Sequence, residues 1–285
     1  MSDPEKAPNR IWQGTLDAAR FLANSLLPPA LTRVLRSMRR AGTPALEYLP
    51  GGWDSAPPPE FGENGWNAVS TVTGTARERA QIERGLANGA PFGIAHEHNL
   101  HVSFAYVLAL VARDKLSLSV LDWGSGLGQY YHIARAALPG VDIDYHCKEV
   151  PVLAKAGEQH AAGAIWHADD SCLQASYDLV FASGSPQYAK DWKGLLENLT
   201  AASREYLFLT RIPVVSNASN FSALQRVYGS KMVFWVFNQS EFVEVVRRQG
   251  FDLIREFLAL DWPPVYGAPE QCELRGWLFR RVKPR

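Results

Sequence analysis

Cysteine is scarce in this chain: Cys147, Cys172 and Cys272 are the only three, widely separated and odd in number. No CxxC pair exists, so neither a disulfide framework nor a thiolate zinc site is expected, and a reducing compartment is the simpler reading. Net charge is lacking too, because 29 basic residues balance 29 acidic ones. That balance argues against broad electrostatic capture of nucleic acid. No apolar run is long enough for a bilayer. The longest, Val102–Ala112, is about half of the roughly 20 residues a membrane helix needs, and it reads as a buried helix. A basic start leading into an apolar stretch and a small-residue cleavage site is missing, so no secretory leader is expected and the expected location is cytoplasmic. What is present is a chain of 285 residues, 47% apolar and 20% charged, ample for a well-buried core.

Two regimes divide the chain. Up to about Gly93, Pro28-Pro29, Pro50-Gly51-Gly52 and Pro57-Pro58-Pro59 interrupt short helical patterns at Ile11–Leu27, Ala30–Arg40 and Ala76–Asn88. Residues 1–93 are therefore expected to be an irregular helical region, able to act as a lid on a domain of residues 94–285. From about Leu116 onward, strand-length apolar runs alternate with helical patterns, the mark of βαβ units around a parallel sheet. Strands are expected at Leu118–Trp123, Ile143–Lys148, Ala164–His167, Tyr177–Ala182, Tyr206–Thr210, Phe251–Leu260 and Leu274–Arg281. Helices are expected at Gly128–Leu138, Val152–Ala162, Trp192–Ala202 and Ser240–Gln249. The last two strands have no helical pattern between them, so an antiparallel hairpin closes the sheet. The expected fold is α/β: a doubly wound, mostly parallel seven-stranded sheet behind a Pro/Gly-interrupted helical N-terminal region.

The richest segment is Val120-Leu121-Asp122-Trp123-Gly124-Ser125-Gly126-Leu127-Gly128-Gln129-Tyr130-Tyr131. A strand ends in an acid, three glycines alternate, and a helix begins. Glycines permit the tight turn and close ligand approach, while free N–H groups at the helix start favour electron-rich ligand atoms. A dinucleotide fingerprint would need glycine where Gln129 stands, and a phosphate loop would need a Gly-Lys-Ser/Thr ending that is absent.

What remains is D-x-G-x-G-x-G, in which the chain resembles the class I S-adenosylmethionine-dependent methyltransferases. The resemblance implies that Gly124, Ser125, Gly126 and Gly128 cradle the methionine part of that cofactor while Asp122 positions its ammonium group. Glu149, ending the second strand, is placed to accept hydrogen bonds from both ribose hydroxyls. After the third strand, Asp169 is the candidate for the adenine amino group, with Asp170 as alternative and a helix N-cap as the competing role. The loop Ser183-Gly184-Ser185-Pro186-Gln187-Tyr188 faces the cleft at the strands' carboxyl ends. There Ser183 is the candidate for cofactor contact and Tyr188 for the substrate side, a plain turn with an edge tyrosine being the other reading. Base-methylating relatives carry Asn/Asp-Pro-Pro-Tyr/Phe in this place; the departure counts against a nucleobase and favours a hydroxyl or carboxylate acceptor. Together with Tyr145–Pro151, Arg211-Ile212-Pro213 and Val227-Tyr228-Gly229-Ser230, these motifs also resemble a bacterial methyltransferase family of unestablished acceptor, often associated with surface-polysaccharide biosynthesis.

The acceptor side is less legible. A hydroxyl acceptor calls for a general base, for which His101 and His132 are the candidates. His98 and His101 share a helix face, but no fourth ligand can be named and no metal is expected. One of Tyr130 and Tyr131 is expected to face cofactor or acceptor while the other packs inward. Phe234-Trp235-Val236-Phe237 is either an aromatic wall for substrate or core. Arg33, Arg36, Arg39 and Arg40, without an intervening acid, form either a solvated helix face or a contact with anionic membrane. The expected activity is methyl transfer to an oxygen of a small molecule or glycan-related acceptor. The competing class is a non-catalytic protein that keeps the fold and the cofactor.

Overall fold

The computed structural model describes residues 44–56, 65–88, 95–259 and 263–282. The arginines Arg33, Arg36, Arg39 and Arg40 lie outside the described residues, as do the helices expected at Ile11–Leu27 and Ala30–Arg40. In chain order the elements are β1 (Leu46–Tyr48), α1 (Val69–Asn88), α2 (Ala95–Ala112), β2 (Ser117–Trp123), α3 (Gln129–Ala137), β3 (Asp142–Lys148), α4 (Pro151–His160) and β4 (Ile165–His167). There follow β5 (Tyr177–Ser183), α5 (Trp192–Ala202), β6 (Ser203–Val215), β7 (Phe221–Val227), β8 (Ser230–Asn238), α6 (Gln239–Arg248), β9 (Phe251–Ala259) and β10 (Glu273–Arg281).

All seven expected strands form, side by side in the order β4-β3-β2-β5-β6-β10-β9. The first five run parallel, and β10 is antiparallel to both β6 and β9. From β2 the chain winds outward to β3 and β4, then returns to β5 on β2's other side. The reversal opens a crevice beyond the carboxyl ends of β2 and β5, where ligands of doubly wound sheets bind. Apolar residues cover both faces. On one side Trp192 and Leu196 of α5 and Phe242 of α6 pack with Trp277 of β10; on the other Phe104 and Leu108 of α2 and Tyr130 of α3 pack with Phe181 and Phe208 of the sheet. Among the described residues, no helix is long and apolar enough to cross a membrane.

The sheet nevertheless has ten strands, not seven. The stretch after β6 is a hairpin, β7 antiparallel to β8, and β1 pairs with β7. Phe234-Trp235-Val236-Phe237 is thus part of a strand. Its burial alternates, with Phe234 and Val236 turned into a small core beside Leu46 and Val265. The sequence reading missed the hairpin because its turn is Tyr228-Gly229, without the usual Asn or Asp. Both residues nonetheless take positive φ, 52° and 78°, as a two-residue hairpin of matching twist requires. Val214 of β6 pairs with Glu273 of β10 on one edge and with Phe237 of β8 on the other. β8 therefore takes up the edge that β5 leaves after Ser183 pairs with Thr210. The β1–β7–β8 ledge rises beside the crevice.

Candidate cofactor and acceptor site

The glycine loop is held open by its own backbone. Gly124, Gly126 and Gly128 have φ of 82°, 61° and 80°, where a side chain would cost roughly 1–2 kcal/mol each. The N–H groups of Gly124 and Ser125 donate to the Lys148 carbonyl at 2.9 and 3.2 Å, tying the loop to the end of β3. Each glycine also leaves room for a neighbour. A Cβ on Gly124 would collide with Ser185, whose Oγ donates to the Trp123 carbonyl at 2.7 Å. One on Gly128 would lie 2.8 Å from Ala161 Cβ and 3.1 Å from the Trp166 ring. One on Gly126 would have side-chain atoms of Gln129 and Thr75 as its nearest neighbours, at 3.1 and 3.4 Å.

The acids at the ends of β2 and β3 converge on this loop. Asp122 is fully buried; its Oδ2 accepts from the Tyr145 hydroxyl at 3.0 Å, and its Oδ1 has no partner. Burial pushes its pKa up to about 8, against the Tyr145 hydrogen bond and with help from Glu149. Glu149 accepts from Gly126 N–H at 3.1 Å through Oε1 and from Val150 N–H at 2.6 Å through Oε2. Burial raises its pKa as well, while those two donors and Lys148 oppose the rise. Asp169 caps a short 3₁₀ turn by accepting from Ser171 N–H at 3.0 Å, and it is exposed. Asp170 turns back toward the loop, accepting from Trp123 Nε1 at 2.9 Å and pairing with Lys148 Nζ at 3.1 Å.

At the end of β5, Ser183 Oγ and the Tyr130 hydroxyl are hydrogen-bonded at 3.0 Å. The Tyr130 ring is wedged between Phe104 and Phe181, which leaves its hydroxyl directed at Ser183 at the end of β5. Tyr131 points the other way, its hydroxyl against Gly163 and its ring against Tyr145. His101, 7% exposed, stands edge-on to Tyr130 at 5.8 Å between ring centroids. Burial above all, then Arg211 and His98, holds its pKa near 4, so it is neutral at pH 7. His132 instead faces the His160 carbonyl at 3.0 Å and Glu83 at 3.8 Å. It belongs to the α1–α4 side and not to the crevice. Tyr188 sets its ring against Trp66, with centroids 5.1 Å apart, and donates its hydroxyl to Gln225. Among the described residues, no group of three His, Cys, Asp or Glu side chains could hold a metal.

The structure adds two details to the site. Residues 65–75 pack over it: Trp66 on Tyr188, Gly74 beneath the Tyr228 ring, Thr75 against Gly126. Arg211, assigned no role from the sequence, has its side chain across Gly184 at the end of β5. The sequence marks it only as part of the Arg211-Ile212-Pro213 motif, because its distinction is a backbone φ of 57° inside a strand.

No protein-family model matches the chain, and no curated protein sequence matches it. Solved structures similar to it include the magnesium protoporphyrin IX methyltransferase of Synechocystis PCC 6803 with bound S-adenosylhomocysteine. That match has 14% identity and a TM-score of 0.46, over 65% of this chain and 84% of that one. A second is the 1,6-didemethyltoxoflavin-N1-methyltransferase of Burkholderia thailandensis, at 13% identity and TM-score 0.47, covering 74% of this chain and 91% of that one. A third is the [4+2]-cyclase SpnF, at 12% identity and TM-score 0.48, covering 75% and 97%. None reaches a TM-score of 0.5, so the chemistry has to be read from the chain's own strand order and glycine loop.

Proposed function

We propose that the chain is an S-adenosylmethionine-dependent methyltransferase acting on an oxygen of a small-molecule or glycan-related acceptor. One observation carries the reading: a fully buried carboxyl, Asp122, leaves Oδ1 without a partner two residues before the first of three left-handed glycines. A buried acceptor with no donor is costly, and a cationic donor such as an ammonium group satisfies it. The rest of the site fits the same ligand. Gly124, Ser125, Gly126 and Gly128 form its cradle, Glu149 is placed for ribose hydroxyls, and Asp169 or Asp170 borders the adenine end. Ser183 stands between cofactor and acceptor.

When bound, the cofactor supplies a methyl group on a cationic sulfur. The chain's residues do the positioning. Residues 65–75 and the β7–β8 turn exclude water from the crevice, the lid role assigned to the region before residue 94. Tyr130, through its hydroxyl, and Tyr188 border the acceptor, and His101 is the group able to take its proton. Tyr131 and His132 drop out of the proposed roles, since they face other parts of the molecule. The low basicity of His101 favours, as a second reading, a cofactor-binding protein without turnover.

Calorimetry on the full chain with S-adenosylhomocysteine, NAD and a nucleotide sugar tests the assignment. Binding of the first alone is expected, and Glu149→Ala and Gly126→Arg are each expected to abolish it while the chain stays folded. Unchanged affinity in both variants would reject the site; turnover with an acceptor then separates enzyme from binding protein. We further propose peripheral membrane contact through Arg33, Arg36, Arg39 and Arg40. Flotation with anionic liposomes is expected for the full chain and not after deletion of residues 1–45; if neither floats, that contact is wrong.

A further inference from the structure

Arg211 is built into the crevice at a cost. Two residues of β6, Thr210 and Arg211, oppose the single Gly276 of β10, a bulge visible as the register shift between Arg275 and Trp277. Gly276 makes the bulge possible, since a Cβ there would stand 2.6 Å from Thr210 Oγ1. Bulges re-aim a side chain, and left-handed strain at a non-glycine residue persists only where the surroundings impose it. The re-aimed chain crosses Gly184, where a Cβ would lie 3.3 Å from Nε and 3.4 Å from Cζ. It ends among Tyr130, Tyr188 and His101, each of which has its proton affinity lowered by the nearby guanidinium.

That guanidinium has no counter-ion. Arg79, Arg204, Arg226, Arg248, Arg275 and Arg280 each pair with a carboxylate. Among the described residues, no carboxylate lies within ion-pair distance of Arg211. A half-buried, strained guanidinium that touches the Tyr130 hydroxyl but has no counter-ion, lying over Gly184 just past the carboxyl end of β5, is a fork for an oxyanion. We propose that Arg211 binds a carboxylate or phosphate group of the methyl acceptor, so that the acceptor is an acidic molecule or an acidic glycan unit. The inference rests on the methyltransferase reading for the word acceptor, and on the geometry alone for the anion.

The test titrates the full chain, with and without S-adenosylhomocysteine, with acetate, inorganic phosphate and acetamide, the last a neutral shape match for acetate. At least one anion is expected to bind ten times or more tighter than acetamide, and which anion wins identifies the oxyanion. Arg211→Gln is expected to lose that preference at least tenfold, with S-adenosylhomocysteine affinity changed less than twofold; Arg211→Lys should retain part of it. Arg211→Gly, which suits the left-handed backbone, guards against a folding defect and is expected to lose the anion equally. An anion preference that survives in the glutamine and glycine variants, or a wild-type chain that binds neither anion better than acetamide, overturns the proposal. Failure of S-adenosylhomocysteine to bind would instead overturn the cofactor reading, because the anion titration is also run on the free chain.

Discussion

Asp122→Asn is expected to make the protein more stable and to weaken S-adenosylhomocysteine binding by about 100-fold. The carboxyl's pKa rises from an ordinary 3.8 to about 8 on folding, so the folded chain holds a proton that the unfolded chain releases. A group with a raised folded pKa contributes stability in full below about pH 4 and loses it progressively up to about pH 8. A shift of about four units, at roughly 1.4 kcal/mol each, caps that loss near 5–6 kcal/mol. Asparagine cannot ionise, and its carbonyl can keep the Tyr145 hydrogen bond. Its amide brings an unpaired buried donor costing about 1–3 kcal/mol, so a net gain of roughly 2–4 kcal/mol is expected at pH 8. For a domain of this size that is about 5–15 °C in melting temperature. The gain should shrink at pH 5, where wild type has lost less of its stability. S-adenosylhomocysteine affinity should fall by about 100-fold, because a neutral amide answers an ammonium group poorly. In wild type, ligand binding should ionise Asp122, so affinity climbs between about pH 6 and pH 8 with release of a proton. Melts at pH 5 and pH 8, and calorimetry in buffers of different ionisation heat, measure all of this. Parallel melting of the two proteins at both pH values, or full binding by the asparagine variant, would sink the assignment.

Alanine at Gly124 and at Gly126 should separate folding from binding. Both positions are left-handed, yet their neighbours differ. At Gly124 the new methyl would run into Ser185, backed by β5 and bonded to the Trp123 carbonyl. Backbone strain of about 1–2 kcal/mol, a broken hydrogen bond of about 1 kcal/mol and the displaced strand end add up to roughly 3 kcal/mol or more. At Gly126 the methyl's nearest neighbours are the end of Gln129 and a Thr75 methyl, so strain of about 1 kcal/mol is the main penalty. The expected result is a Gly124→Ala chain that melts far earlier, and a Gly126→Ala chain that melts almost normally but binds S-adenosylhomocysteine at least tenfold more weakly. Thermal melts with calorimetry decide; equal destabilisation of the two would mean that the loop is not packed as described.

What could be read from the letters follows from how each feature is encoded. The central sheet was legible because its strands are continuous apolar runs and its helices are amphipathic, two periods that single residues reveal. That Asp122, the glycines and Glu149 come together at one turn was legible because an acid ending a strand, followed by alternating glycines, marks a tight strand-to-helix turn. The β7–β8 hairpin was not, since its turn spends a tyrosine where asparagine is customary. Arg211 was hidden for a different reason: its role arises from a bulge set by Gly276, some sixty positions away and meaningless until β10 lies beside β6. The two tyrosines after the glycine loop were undecidable in sequence. Only the packing of Phe104 and Phe181 directs the Tyr130 hydroxyl at Ser183, and only Gly163 makes room for Tyr131.

The pairing of β1 with β7 has a consequence for how the protein comes together. Leu46 lies opposite Gln225, and Glu47 forms an ion pair with Arg226, 179 positions along the chain. Closing so large a loop carries an entropy cost that neighbouring βα units do not bear, so such contacts form late. During synthesis, β1 and the start of α1 emerge long before the hairpin that receives them exists. The nested βα units can collapse first around the glycine loop, leaving the crevice roofless, and the roof then closes as the final long-range step. Assembly in that order completes the ledge beside the crevice through contacts between the most distant parts of the chain.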